Sequence, residues 1–166
     1  PVTLFRRLVG PIAAVGQLGD AHGRREMDVS GLAVAPGFIN MLSWANEALL
    51  HDGRSQSDIR QGVTLEVMGE GWSMGPLSAA LKEEQVAEQG DVKYDVAWTT
   101  LGEYLDFLVG RGVSCNVASF VGATPLRIHQ IGHENRRPTS AELERMRALV
   151  RQAMEEGAMG VSSALI

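Results

Sequence analysis

A single cysteine, Cys115, stands in this 166-residue chain, between Ser114 and Asn116. An internal disulfide is therefore excluded, and the thiol reads as a small buried hydrophobe in a reducing compartment. Basic runs are equally scarce, none being longer than the pairs Arg6-Arg7, Arg24-Arg25 and Arg136-Arg137, and the formal net charge is −5. The electrostatic footprint of a nucleic-acid binder is absent, so small-molecule chemistry is favoured. No uninterrupted apolar run approaches the ~20 residues that span a bilayer, so no membrane partner is expected and the cytoplasm is the expected location. Pro1 stands where an initiator methionine would, which leaves a signal peptide open.

What is present falls into two regions. Residues 2–34 read as short strands at 2–8, 11–15, 26–29 and 32–34, with a polar stretch over 19–25. Pro36 and Gly37 punctuate, and from there strands at 38–42, 64–68, 114–121 and 159–165 alternate with helical segments. That alternation is the mark of βα units and a parallel sheet. Ser55 reads as the N-cap of a short helix over 55–61, with Gly62 as its stop. Residues 77–89 carry helix formers without a breaker, and 91–99 read as a loop or insertion. Thr100 with Glu103, and Thr139 with Glu142, form capping-box pairs that open two further helices. In the second, Leu143, Met146, Val150, Ala153 and Met154 recur on one face, and the methionines are expected as core filler.

Several motifs stand in a fixed order along these elements. They are Asp28-Val29-Ser30-Gly31-Leu32, Ala35-Pro36-Gly37-Phe38-Ile39-Asn40-Met41, Gly62-Val63-Thr64, Gly69-Glu70-Gly71-Trp72-Ser73, Val121-Gly122-Ala123-Thr124-Pro125-Leu126-Arg127, and the run from Gly157 to Leu165. Together they cover nearly the whole chain and resemble the amidohydrolase superfamily, most of all its N-acyl-D-amino-acid deacylases (D-aminoacylases). The resemblance implies an α/β fold: about the first four strands of a (β/α)8 TIM-like barrel over residues 36–166, preceded by part of a small β-sandwich domain over 1–35. A complete barrel needs ~250 residues, so the expectation is an N-terminal fragment whose remaining strands lie downstream of Ile166.

The resemblance also shows where side chains depart from the family. Its first barrel strand normally ends in Asp-x-His-x-His, and the matching positions here are Asn40, Leu42 and Trp44. None replaces an imidazole on a zinc-like ion. At the end of the second strand the family carries Gly-Asn-Cys-Gly-Phe-Ser with a ligating cysteine, and ungapped alignment puts Glu70 there. A carboxylate ligates Zn2+ at ~2.0–2.2 Å, so Glu70 is the candidate metal ligand. An ion pair or solvated surface site, and a proton-transfer role, are its alternatives. The family's Val-Gly-His-Gly-Thr-Leu-Arg aligns with residues 121–127, which puts Ala123 at the histidine. Arg127 matches the arginine and could meet a substrate carboxylate through a bidentate fork, or form a structural ion pair.

Asn40, Trp72 and Ser163 join Arg127 as substrate-binding candidates because active residues of a barrel follow the strand ends. Ser162 and Ser163 have no identifiable histidine partner, so a nucleophilic serine is not supported. His129 and His133 stand four apart, but Gly132 and the polar run after it read as a loop rather than a metal-binding helix. His51 reads as a surface or loop residue.

The implied activity is hydrolysis of the N-acyl amide bond of N-acyl-(D-)amino acids or related linear amides, with one divalent ion, zinc by resemblance, whose other ligands would come from later strands. The expected partners are a small-molecule amide and an oligomer mate or completing chain. The alternatives are a cyclic-amide hydrolase and a non-catalytic barrel that binds a ligand or partner.

Overall fold

The computed structural model describes residues 3–6, 12–17, 19 and 22–164. By contacts the chain divides into two compact units, Pro1–Pro36 and Gly37–Ile166. In the first, β1 (Thr3–Arg6) pairs antiparallel with β2 (Ile12–Gly16), with a register break between Phe5 and Arg6. The outer parts of the strands expected at 2–8 and 11–15, and part of the polar stretch over 19–25, lie outside the described residues. The strands expected at 26–29 and 32–34 do not form. Asp28 Oδ1 accepts the Ser30 N–H at 2.9 Å and Val29 O accepts the Leu32 N–H at 2.9 Å, so this segment spends its hydrogen bonds on a turn through Gly31 (φ 80°).

The second unit is α/β with parallel strands. β3 (Phe38–Asn40) pairs with β4 (Val63–Met68), and β4 with β5 (Asn116–Ser119), all parallel. After Phe120 the chain continues as β6 (Val121–Gly122), which pairs parallel with β7 (Val161–Ser162). The single strand expected over 114–121 is thus split. Phe120 N–H donates back to Met68 O at 2.9 Å while Val121 N–H donates to Gly160 O at 2.9 Å, so the chain changes neighbour at that residue. β3 stops at Asn40 rather than 42 because Asn40 Oδ1 takes the Leu42 N–H at 3.3 Å. The strand expected over 159–165 shortens to Val161–Ser162, and its last position lies outside the described residues.

Six helices connect these strands among the described residues. They are α1 (Ala48–His51), α2 (Gln56–Ile59), α3 (Ala79–Ala87), α4 (Leu101–Arg111), α5 (Ala123–Ile131) and α6 (Ser140–Glu155). Both expected capping boxes form, at Thr100/Glu103 and Thr139/Glu142. Ser55 does not cap α2. It lies in the left-handed region (φ 45°) with no side-chain cap bond, and its hydroxyl is used elsewhere.

α5 is a helix where a strand end and a loop were expected. Pro125 sits in its first turn, the part of a helix that tolerates proline because those N–H groups have no intrahelical acceptor. His129 is therefore helical, and Gly132 (φ 61°) ends α5 before His133.

The core lies between the sheet and the helices. Leu101, Tyr104 and Leu108 of α4 are buried at helical spacing beside Met68 of β4 and Leu49 and Leu50 of α1. The 91–99 segment is a loop, but not a solvated one: Trp98 is buried, donates Nε1–H to Met74 O at 2.6 Å, and packs against Tyr104 and Phe107 at 5.2 and 5.3 Å between centroids. Burying such a side chain contributes about 1.5–3 kcal/mol. The methionines divide: Met68 and Met74 are core, whereas Met27, Met41, Met154 and Met159 are exposed. On α6 only Ala153 is fully buried, with Leu149 and Val150 partly packed. None of the described helices is long and apolar enough to cross a membrane.

Candidate active site

The turn after β4 is built by glycines that let backbones touch. Gly69 has φ 92°, and a Cβ there would lie 2.2 Å from Phe120 O. Gly71 has φ 65° and sits against Ala164, while a Cβ on Gly122 would lie 2.5 Å from Gly71 O. The glycines flanking Glu70 are thus accounted for by strand-to-strand approach. Ser162 fastens this turn from the end of β7: its Oγ accepts the Gly71 N–H at 3.0 Å and donates to Gly69 O. Thr124 N–H donates to Gly71 O at 3.1 Å, and Gly122 N–H to the buried Ser73 Oγ at 2.9 Å. The segments that follow β4, β6 and β7 therefore meet at their strand ends. The segment after β3 joins β4 through Ser43 N–H to Val67 O at 2.9 Å.

Within this frame Glu70 is exposed, and its carboxylate has no hydrogen-bond or ion-pair partner among the described residues. Trp72 is half-buried against the core, Asn40 is half-buried, and Ser163 is exposed. Arg127 lies on α5, and its Nη2 donates to Glu134 O and Arg136 O, both at 2.7 Å, so it clamps the loop before α6. The histidines do not converge. Burial lowers the pKa of His129, whose Nδ1 meets Gln130; His133 Nε2 lies 2.7 Å from Glu84 Oε1. Asp52, beside His51, pairs with Arg54, whose hydrogen bonds bring it down to about 2.

Glu66 is the polar residue that motif reading passed over. It is fully buried on β4, and its carboxylate accepts from Ser43 Oγ at 2.7 Å, Ser55 Oγ at 2.6 Å and Cys115 Sγ at 3.0 Å. Burial presses its pKa upward, yet the three hydrogen bonds outweigh it and hold the carboxyl below the ordinary glutamate range. The Cys115 thiol is pushed up to about 11 by burial and by that carboxylate. The signal available in the sequence was the charge itself, in the middle of the apolar strand Leu65-Glu66-Val67-Met68.

No protein-family model matches the chain. It is 36% identical over 156 residues to D-aminoacylase of Alcaligenes xylosoxydans xylosoxydans, an alignment covering 92% of this chain and 31% of that protein. It also superposes on the solved structure of a D-aminoacylase with a binuclear metal centre, at TM-score 0.77 and 33% identity, over 92% of this chain and 32% of that one. The chain is a D-aminoacylase homologue. A further solved relative is N-acyl-D-glutamate deacylase from Bordetella bronchiseptica, complexed with zinc and a phosphonate inhibitor, at TM-score 0.74 and 30% identity over 92% of this chain and 32% of that one. This D-aminoacylase homologue spans about a third of the length of these relatives.

Those solved relatives hold metal, so the donors of this D-aminoacylase homologue can be tested for fit. Among the described residues no three His, Cys, Asp or Glu side chains gather around one point. Leu42 and Trp44 bring no donor, and Glu66 is enclosed by its own three hydrogen bonds. Glu70 has a place at the strand ends and a carboxylate with no partner among the described residues, and those residues make no complete metal centre.

Proposed function

We propose that this chain is part of a metal-dependent amidohydrolase that cleaves the N-acyl amide of N-acyl-(D-)amino acids or related linear amides. The observation that carries the reading is the homology to D-aminoacylase over 92% of the chain, with TM-score 0.77. The parallel strands in sequence order support the first half of a (β/α)8 barrel over 36–166, with part of a β-domain over 1–35 before it. The cytoplasm is the proposed compartment.

In this reading a divalent ion of the zinc type, when bound, polarises the amide carbonyl and lowers the pKa of water. Glu70 is this chain's ligand, and Ser162, bonded to Gly69 and Gly71, holds the turn that presents it. Asn40, Trp72 and Ser163 would line the substrate. Arg127 would offer a substrate carboxylate its Nε and Nη1, since only Nη2 is engaged among the described residues. Replacement of the family histidines by Leu42 and Trp44 favours one rival, a barrel that binds a ligand without catalysis.

Metal content by elemental analysis and deacylation of N-acyl-D-amino acids separate the two, measured on full-length wild type, Glu70→Ala and Glu70→Cys. Removing one anionic ligand should lower bound metal at least tenfold and activity with it, and Glu70→Cys should retain metal. Full metal and activity in Glu70→Ala would remove Glu70 from the site. Absence of both from wild type would leave the binding barrel as the better account.

A further inference from the structure

Glu66 divides its two carboxylate oxygens between two jobs. Oε2 accepts from Ser43, in the segment that follows β3, whereas Oε1 accepts from Ser55, just before α2, and Cys115, just before β5. Ser43 is the polar anchor of the 41–47 segment near its start: besides its hydroxyl, its N–H reaches Val67 O at 2.9 Å and its Oγ accepts the Ala45 N–H at 3.2 Å. The other end of the segment is held by aromatic hydroxyls, Tyr104 donating to Asn46 O at 3.0 Å and Tyr94 to Glu47 Oε1 at 2.9 Å. Met41 and Leu42, just before Ser43, and Trp44, between these anchors, are exposed.

A charged carboxylate without a cation among its partners is an expensive way to fill a core, where an apolar side chain of the same volume would do as well or better. Its presence calls for a geometric use. We propose that Glu66 is a positioning residue that acts through Ser43 to set the 41–47 segment beside the strand-end site, the Ser55 and Cys115 arm serving to hold the carboxylate in place. This rests on the amidohydrolase reading for its link to catalysis, but the positioning itself does not. Removing the carboxylate charge weakens the bond to Ser43 Oγ, because a neutral amide oxygen is a poorer acceptor, and the tie between the segment and β4 then rests on Ser43 N–H to Val67 O.

The test uses the full-length protein as Glu66→Gln, Ser43→Ala and Ser55→Ala, with backbone hydrogen exchange and deacylation kinetics as readouts. Ser43→Ala is the milder variant and decides the matter if Glu66→Gln fails to fold. Amides of 41–47 should exchange at least tenfold faster in Glu66→Gln and Ser43→Ala, with those of α6 unchanged and with little change at 41–47 in Ser55→Ala. The same two variants should lose at least tenfold in kcat with a smaller effect on KM, while Ser55→Ala keeps most of its activity. A merely structural role would make Ser43→Ala and Ser55→Ala alike at 41–47, and that result, or unaltered exchange there in Ser43→Ala, overturns the proposal. Wild type without deacylase activity would overturn the catalytic link and the functional reading with it, while the exchange pattern would still decide the positioning role.

Discussion

Cys115 shows how a single side chain takes its chemistry from its neighbours. Its thiol donates to Glu66 and is pushed up to about 11, so the thiolate that would attack an alkylating reagent is scarce at neutral pH. Reaction with iodoacetamide at pH 8 should therefore be at least a hundredfold slower in the native full-length protein than after unfolding in urea, read by mass spectrometry of the Cys115 peptide. Native reaction at the unfolded rate would contradict the burial. The same shift fixes a direction for stability. The folded pKa lies above the ~8.5 of a free thiol, so the contribution is fully present below about pH 8.5 and is lost as pH rises toward about 11. Glu66 acts oppositely: its folded pKa lies below the ~4.3 of a free glutamate, so its contribution is present above that pH and fades as pH falls through the lower folded value. Denaturant midpoints across pH 3–7 should consequently fall less steeply in Glu66→Gln than in wild type.

Helix starts were legible in the sequence because a capping box is written in four consecutive residues, and both predicted boxes form. α6 begins with a dense one. Glu142 Oε2 accepts the Thr139 N–H at 2.7 Å, Thr139 Oγ1 accepts the Glu142 N–H at 3.3 Å, and Arg136 grips Glu142 with two nitrogens at 2.7 and 2.8 Å. Thr139→Ala should cost about 1 kcal/mol by denaturant melting of the full-length protein, and Thr139→Ser much less. Glycines split by environment in the same measurement. Gly110 sits inside α4 with open space where a Cβ would go, so Gly110→Ala should stabilise by about 0.5–1 kcal/mol. Gly69→Ala would meet Phe120 O and an unfavourable φ, and should cost about 1–3 kcal/mol or more. Other elements were hidden from local reading for a physical reason. Ser55 resembles an N-cap, but its hydroxyl is claimed by Glu66, eleven residues on. α5 was masked by Pro125, by Gly122, which lies against the distant backbone of Gly71, and by Gly132, which ends the helix at positive φ. The gathering of Gly69, Gly71 and Ser162 depends on partners more than ninety residues apart in sequence, which no window of local pattern contains.

At the scale of the whole molecule, the parallel order was legible because apolar strands alternated with helices, whereas what flanks the sheet was not. Among the described residues β3 pairs on one side only, with β4, and it carries Phe38 and Ile39, each more than half exposed, followed by Met41, Leu42 and Trp44 in the same state. Met159 and Val161 leave a second apolar surface at β7. An unpaired strand rich in exposed apolar side chains is a template for pairing with another chain, and such a surface is larger than isolated exposed residues explain. Residues 1–166 produced by themselves should therefore associate: static light scattering at micromolar concentration should give a weight-average mass that rises with concentration, and thermal unfolding should be broad and end in aggregation. Replacing Ile39 and Trp44 by Lys and Glu should reduce the association at least severalfold, because charge on an edge strand opposes further pairing. A concentration-independent monomer with a sharp, reversible transition would mean that the β3 edge is harmless as it stands, and would remove the expectation that another strand covers it.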